Sequence, residues 1–372
     1  MATALGIVAP AGSYIHVNGL QDYRAINAFS FLGRYRIIDF PVSNMSDSDI
    51  ERIEVYVTNE NPRSLAEHVG NGRNYNINSK RGLLQLMFSH ESTLSGIYNT
   101  DVKAYLDNAP TLERAHQDYV IITPGYMIFR QDFKQLLQQH IDSGADITLL
   151  CHRTDKADTA YRNCFTVDLN RQKGVRGIGL NDGNKADRNI FMDTYVLSRD
   201  LFLDLLKRGQ KTSAIYRFVD IVSHMTDELD IRAVQHKGYF AAITDFKAYF
   251  DANIDLLDIA VADDLFVNDW PIYTRTTDSC PVLYRKGASV SKSMVANGTI
   301  IEGSVENSVI GRGVSIEKGA VVKNCVILGH TVIGKDVHME NMVVDKWAKV
   351  LNMKEIVAPA DEPGYIRRMD II

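Results

Sequence analysis

An α/β domain on a largely parallel sheet, followed by a parallel β-helix, is the architecture the sequence predicts. Three observations carry it. Over the first two-thirds of the 372 residues, short apolar runs alternate with stretches of helical periodicity, the pattern of strands joined by crossover helices. The alternation breaks at Asp258 to Pro281, where acidic pairs, a Trp270-Pro271 step and Thr276-Thr277-Asp278-Ser279 take over. Beyond the break the apolar period becomes six. Ile310, Ile316, Val322 and Leu328 recur in one phase and Val314, Ala320, Val326 and Val332 in another, with Gly311, Gly313, Gly319, Gly329 and Gly334 between them. Hexapeptide repeats mark a β-helix, whose triangular coils stack an aliphatic residue inside and turn at Gly or Asn. The chain therefore divides into an α/β domain over 1–258, a linker over 259–280 and a hexapeptide β-helix over 281–372.

Within the first domain the apolar runs predict strands at Ala4 to Val8, Ile53 to Thr58, Tyr119 to Ile122, Ile147 to Cys151 and Ile190 to Val196. Helical spacing predicts helices at Phe133 to Asp142, Leu201 to Arg208, Ile215 to Met225 and Asp245 to Leu257. Ligands of such sheets bind beyond the carboxyl ends of the strands, so chemistry is expected in the loops after Val8 and Ile122.

Length and a 45% hydrophobic content allow one large core and a smaller second one. The net charge of −5 and singly scattered basic residues disfavour a nucleic-acid or anionic-membrane surface. Cys151, Cys164, Cys280 and Cys325 form no C-x-x-C pair, which disfavours zinc ribbons and disulfide frameworks. No basic segment leads into a long apolar stretch at the N-terminus, and no run approaches membrane-spanning length. Buried, reduced thiols in a cytoplasmic protein are the expectation.

Residues 33–44 read Gly-Arg-Tyr-Arg-Ile-Ile-Asp-Phe-Pro-Val-Ser-Asn. This run resembles the Gly-Lys-Tyr-Arg-Ile-Ile-Asp-Phe-Pro-x-Ser-Asn motif of the ADP-glucose pyrophosphorylase (glucose-1-phosphate adenylyltransferase) family. The order of the two domains is also that family's, so the resemblance spans nearly the whole chain. It is strongest to the GlgD-type subunit, regarded as non-catalytic or weakly catalytic. The resemblance implies a Rossmann-like nucleotidyltransferase domain with a mostly parallel sheet, a left-handed parallel β-helix and a tetramer. Read for its residues alone, Gly33 to Asn44 is expected as a core strand and turn.

The family's catalytic motifs are degenerate here. Its glycine-rich Gly-Gly-x-Gly-Thr-Arg-Leu loop, which cradles phosphates with backbone N–H groups, becomes Ala9-Pro10-Ala11-Gly12-Ser13-Tyr14-Ile15-His16. Pro10 offers no N–H, Ala11 falls in the same loop, and Ile15 or His16 stands where the arginine belongs. The family's Arg-Ala-Lys-Pro-Ala becomes Arg24-Ala25-Ile26-Asn27-Ala28, so Ile26 replaces a lysine. Where the resemblance implies the two Mg²⁺ carboxylates, this chain has Tyr126, in Pro124-Gly125-Tyr126-Met127, and Ala242, in Gly238-Tyr239-Phe240-Ala241-Ala242. A tyrosine, with its usual pKa of about 10, is neutral at pH 7 and a poor magnesium ligand. Asp245 is either a substitute carboxylate or the N-cap of the following helix. The family's Glu-Lys-Pro has no counterpart near Gly177 to Asn189, where Lys185 is out of context, and its Gly-Thr-Ala-Asp-Ala segment is unrecognisable near Ser95 to Lys103. No catalytic residue and no metal site is intact, and Mg²⁺ is expected only if residual activity remains. Metal and oxyanion-type stabilisation each supply several kcal/mol, so losing both costs on the order of a millionfold in rate.

Two functions fit this pattern. One is a non-catalytic regulatory subunit that assembles with a catalytic ADP-glucose pyrophosphorylase chain in glycogen biosynthesis. The other is an adenylyltransferase with residual activity, converting ATP and glucose 1-phosphate to ADP-glucose and pyrophosphate. Arg24, Arg34 and Arg36 are closely spaced guanidinium groups suited to a sugar-phosphate effector, although Arg36 fits a structural ion pair equally well. His330 and His338 lie in the β-helix, a fold that also houses histidine-dependent acyltransferases; an isolated histidine at a coil corner is ordinarily a solvated residue.

Overall fold

The computed structural model describes residues 2–12, 15–57, 61–77, 82–89 and 98–372. The α/β domain is built on strands β1 (Ala4–Ala9), β2 (Arg52–Val57), β3 (Leu83–Phe88), β4 (Tyr119–Pro124), β5 (Ile147–Thr154), β6 (Phe165–Leu169), β7 (Val175–Leu180), β8 (Arg188–Ser198) and β9 (Ile231–Gln235). They form one sheet in the order β7-β6-β8-β4-β1-β2-β3, with β5 also paired to β8 and β9 to β5. Strands β3, β2, β1 and β4 run parallel. The long β8 runs antiparallel to β4, β5 and β6, which makes the sheet mixed. Both faces of β1 are covered: Ala4 and Val8 enter one apolar cluster and Leu5 and Ile7 another, as a central strand requires. The predicted helix at Phe133 to Asp142 forms over Phe133–Ser143, capped by Asp132, which accepts from the Gln135 N–H at 2.9 Å. The end of the predicted strand at Thr58 lies outside the described residues.

The segment 33–44 differs from the expected strand and turn. Only Tyr35–Arg36 is extended, and a helix follows over Asp39–Asp47. Pro41 is tolerated because it lies in the first helical turn, where its missing N–H has no intrahelical acceptor to lose. Asn44 in that helix donates to the Phe129 carbonyl at 2.8 Å and accepts from the Trp270 indole at 2.9 Å. Ser43 accepts from the Tyr273 N–H at 2.9 Å. The stretch expected as a linker is thus fastened to the α/β domain, after opening with a helix, Ile259–Leu265, capped by Asp258.

The C-terminal region is a three-sided β-helix of three parallel sheets with five strands each. Ile301, Ile316, Ile333 and Val350 stack inside on one side, and Ile310, Ile327, Val344 and Ile366 on another. Asn307, Asn324 and Asn341 occupy one corner at positive φ, 17 residues apart, each side chain bonded to the next coil. Because that coil is one short of three hexapeptides, the predicted columns slip. Ile310, Ile316 and Val322 face inward as expected, but the column continues at Ile327 rather than Leu328. Val309, Val326, Leu328 and Val343 instead belong to the apolar cluster of the α/β domain. One hydrophobic core therefore runs across both parts of the chain. Two glycines permit the close approach: a Cβ on Gly33 (φ 67°) would lie 2.8 Å from the Ile310 carbonyl oxygen, and one on Gly19 (φ 80°) 2.4 Å from the Tyr365 ring.

Candidate functional site

The strand order reverses between β1 and β4, which places the ligand crevice of the fold beyond Ala9 and Pro124. The chain is tightly drawn together there. The Gly125 N–H donates to the Ala9 carbonyl at 2.9 Å, and a Cβ on Gly125 would lie 3.1 Å from that oxygen and 3.3 Å from the Asn27 Cβ. Pro10 and Ala11 are half-buried at the rim, whereas Ile15 and Ile26 are buried members of the core. Ile15 and Ile26 thus pack as apolar residues and present no cation to the crevice. His16 is exposed, and Ser13 and Tyr14 lie outside the described residues.

A short antiparallel ribbon brings the two expected carboxylate positions together. Met127–Phe129 pairs with Phe240–Ala242, with Ala242 opposite Met127, and the Ile243 N–H donates to the Tyr126 carbonyl at 3.0 Å. Tyr126 is buried, and its hydroxyl donates to the carboxylate of Asp193. Asp193 stands at a bulge of β8, and burial pushes its carboxyl up to about 6. Asp101, whose carboxyl burial also pushes up to about 6, accepts from the N–H groups of Val102 and Phe218. Asp245 accepts from the Ala248 N–H at 2.8 Å and so caps the helix Phe246–Asp255. Among the described residues no group of three or more His, Cys, Asp or Glu could hold a metal ion. A single carboxylate already bonded to a tyrosine does not fit Mg²⁺, which needs several oxygen ligands. Lys185 is exposed, and the stretch near Ser95 lies partly outside the described residues.

Of the three arginines of the expected effector site, Arg24 and Arg36 share one seam and Arg34 lies apart. Arg24 is buried and donates to both carboxylate oxygens of Asp345, on the β-helix, at 2.8 and 2.7 Å. Asp345 also accepts from the Tyr365 hydroxyl at 2.9 Å and from the Lys346 N–H at 2.6 Å. Arg36 donates to the Ala28 carbonyl at 3.0 Å and the Ser64 hydroxyl at 2.6 Å, both neutral acceptors. Burial lowers its guanidinium pKa, with Asp39 opposing. Lys346 shares this seam: burial, then the charges of Arg36 and Arg24, hold its ammonium down at about 7. Arg24 Nη1 and Arg368 Nε are buried with no hydrogen-bond partner. Arg34 faces elsewhere, into a cavity of about 580 Å³ shared with Arg312, Thr277, Asn297, Tyr35 and Phe266. Asp193, Lys346, Arg312 and Arg368 escaped sequence reasoning. An aspartate amid the apolar run Ile190 to Leu197 was the one available signal. His330 stacks on Trp347 at a coil corner and His338 is exposed on a strand.

A reversed-order α/β sheet with its crevice at the β1 and β4 ends, joined to a hexapeptide β-helix, defines a class. Residues 19–258 match the nucleotidyl transferase family, and residues 283–362 match the GlmU-like C-terminal hexapeptide family. The chain is 32% identical to the glycogen biosynthesis protein GlgD of Geobacillus stearothermophilus over 86% of its own length and 82% of that protein's. It is 27% identical to GlgD of Bacillus subtilis, covering 98% and 95% of the two chains, and 26% identical to the glucose-1-phosphate adenylyltransferase of Fervidobacterium nodosum, covering 92% and 83%. The chain belongs to the nucleotidyl transferase family and, within it, to the family of the glycogen biosynthesis protein GlgD. No helix among the described residues is long and apolar enough to cross a membrane.

Proposed function

We propose that this chain is a regulatory subunit of ADP-glucose pyrophosphorylase in glycogen biosynthesis, with little or no activity of its own, acting on a catalytic partner subunit in a mixed cytoplasmic oligomer. The observation that carries the reading is the pair Tyr126 and Ala242, adjacent across one ribbon and without the carboxylates a metal-assisted transfer would use. The seam supports the regulatory half. Arg24, Arg36, Arg368 and Asp345 gather around Lys346, with Asp39 beside Arg36, and buried N–H groups of Arg24 and Arg368 lack acceptors, which is the chemistry that receives a phosphate. A sugar phosphate bound there, or in the separate cavity at Arg34 and Arg312, is the proposed effector.

Co-expression with a catalytic glucose-1-phosphate adenylyltransferase from the same cell tests the reading. The two chains should co-purify, and the partner's substrate affinity or effector response should change through linked binding equilibria. The chain alone should show negligible turnover of ATP and glucose 1-phosphate. Failure to co-purify, or partner kinetics identical with and without this chain, overturns the proposal.

A further inference from the structure

Lys346 is half-buried in the seam, between the buried Asp345 and the exposed Trp347. Its backbone N–H donates to the Asp345 carboxylate at 2.6 Å, but its side-chain nitrogen has no hydrogen bond or ion pair among the described residues. Asp345 has no acceptor site left for it. One carboxylate oxygen accepts from Arg24 and from the Lys346 N–H, the other from Arg24 and from the Tyr365 hydroxyl, which fills the four lone-pair sites of a carboxylate. The other charged groups facing Lys346 are Arg24, Arg36 and Arg368, with Asp39 beside Arg36 and Tyr23 under Arg368; His330, stacked on Trp347, also feels its charge. Arg24 Nη1 and Arg368 Nε are buried and unpaired. Unpaired buried donors are costly, so the seam lacks one anion with two or more acceptor oxygens. Burial and the neighbouring arginines pull the Lys346 ammonium down to about 7, which leaves most of the amine neutral, with its lone pair free, above neutral pH.

We propose that Lys346 is a modification site, whose amine adds carbon dioxide reversibly to form a carbamate that supplies the anion missing from the seam. The nitrogen lone pair forms the N–C bond, one C=O π bond of carbon dioxide opens onto its oxygen, and the proton released from nitrogen passes to water. A neutral amine thus becomes an anion with two acceptor oxygens, and no oxidant or reductant is involved. The inference rests on the reading of the seam as an anion site and adds that the chain can build that anion on its own lysine. Carbon dioxide is small and uncharged, so it enters without the desolvation cost that a free anion meets. Carbamate and sugar phosphate then compete for the same arginines.

The full chain equilibrated with carbon-13-labelled carbon dioxide at pH 8 provides the test, with carbamate read by carbon NMR in the parent, Lys346→Arg and Lys346→Met. A terminal α-amino group, with its usual pKa of about 7.7–8.0, also forms carbamate, so the parent should show one resonance more than either variant. That resonance should vanish at pH 5.5, where the amine is protonated, and weaken as sulfate is added. Arg368→Met, which leaves the Arg24 and Asp345 pair intact, should raise the carbon dioxide needed for half-formation by roughly tenfold, as loss of a charge-assisted hydrogen bond implies. The melting temperature of the parent should rise with carbon dioxide and that of Lys346→Arg should not. A parent spectrum identical to that of the variants overturns the proposal. Should neither variant fold, alkylative trapping in the parent followed by peptide mass spectrometry decides: label on the peptide holding Lys346 supports the carbamate, and its absence overturns it. If sulfate or glucose 1-phosphate raises the melting temperature while no carbamate forms, the seam takes free anions only, and the carbamate falls while the regulatory reading stands.

Discussion

The crevice at the strand ends and the seam between the two parts of the chain are both polar, but they balance their charges differently. In the crevice the carboxylate of Asp193 is met from inside the molecule by the Tyr126 hydroxyl. In the seam the four cations Arg24, Arg36, Lys346 and Arg368 face two carboxylates, Asp345 and Asp39, and Arg24 Nη1 and Arg368 Nε remain without acceptors. A buried polar group without a partner costs free energy, so a protein that keeps several in one place gains from an anion arriving there. The comparison separates two kinds of site loss. On the proposed reading, a site filled by the chain's own side chains needs no ligand, and one whose donors stay open still takes an anion.

The largest expected effect comes from breaking the seam. Asp345→Ala leaves Arg24 buried without its carboxylate and removes the acceptor of the Tyr365 hydroxyl. Removing one partner of a buried ion pair costs about 3–5 kcal/mol, to be read from urea unfolding of the parent and the variant. A loss under about 1 kcal/mol would show that the pair is screened by water and that the seam is less closed than its geometry indicates.

The crevice responds to pH. Because burial raises the Asp193 carboxyl from 3.8 to about 6 in the folded chain, the folded state holds that proton more tightly than the unfolded state. The stability this group contributes is complete below about pH 4 and is lost as pH rises through 6. Asp193→Asn never ionises, so between pH 4 and 7.5 it should gain on the parent by up to about 3 kcal/mol. Denaturant midpoints of both proteins across that range measure the difference, and parallel curves would mean that Asp193 is solvated.

The seam has the opposite sign. Lys346 is lowered from 10.5 to about 7, so its contribution to stability is present above pH 10.5 and lost as pH falls through 7. Sulfate, whose charge is constant over this range, favours the ammonium form. At ten times its dissociation constant it should stabilise the chain by about 1.4 kcal/mol, more at pH 6.5 than at pH 8.5. Lys346→Met should remove that pH dependence, seen as equal melting shifts at the two pH values.

Much of the scaffold was legible from sequence, and its two sites only in part. Runs such as Leu5 to Val8 and Val120 to Ile122 are apolar on both faces because they are central strands, and the six-residue period exposed the β-helix. Strands β6 and β7 were missed because exposed residues and Gly177 and Gly179 interrupt their pattern, and periodicity does not reveal that β8 is antiparallel. The motif losses at Tyr126 and Ala242 were visible as residues, but the partner of Tyr126 lies 67 positions away and that of Arg24 321 positions away. Lys346 and Arg368 come together because the last coil pairs Val344 with Ile366. Such meetings are set by tertiary packing and leave no local pattern.

The smallest expected effect concerns magnesium, and it asks whether the crevice has lost only its ligands or also its shape. Ala242 pairs with Met127 across the ribbon, and the Ile243 N–H holds the Tyr126 carbonyl, so Tyr126→Asp with Ala242→Asp would set two carboxylates at diagonal positions of one ribbon end. Replacing the tyrosine also frees Asp193 from its hydroxyl. Two or three carboxylates, with water completing an octahedron, meet the requirements of Mg²⁺. The double variant should therefore bind Mg²⁺ at least tenfold more tightly than the parent in calorimetry. Turnover should stay absent, because the loop at Pro10 still lacks the N–H that a phosphate cradle uses. Unchanged Mg²⁺ binding would show that the two positions, though neighbours on the ribbon, do not face one metal site, and that the crevice has lost its shape along with its ligands.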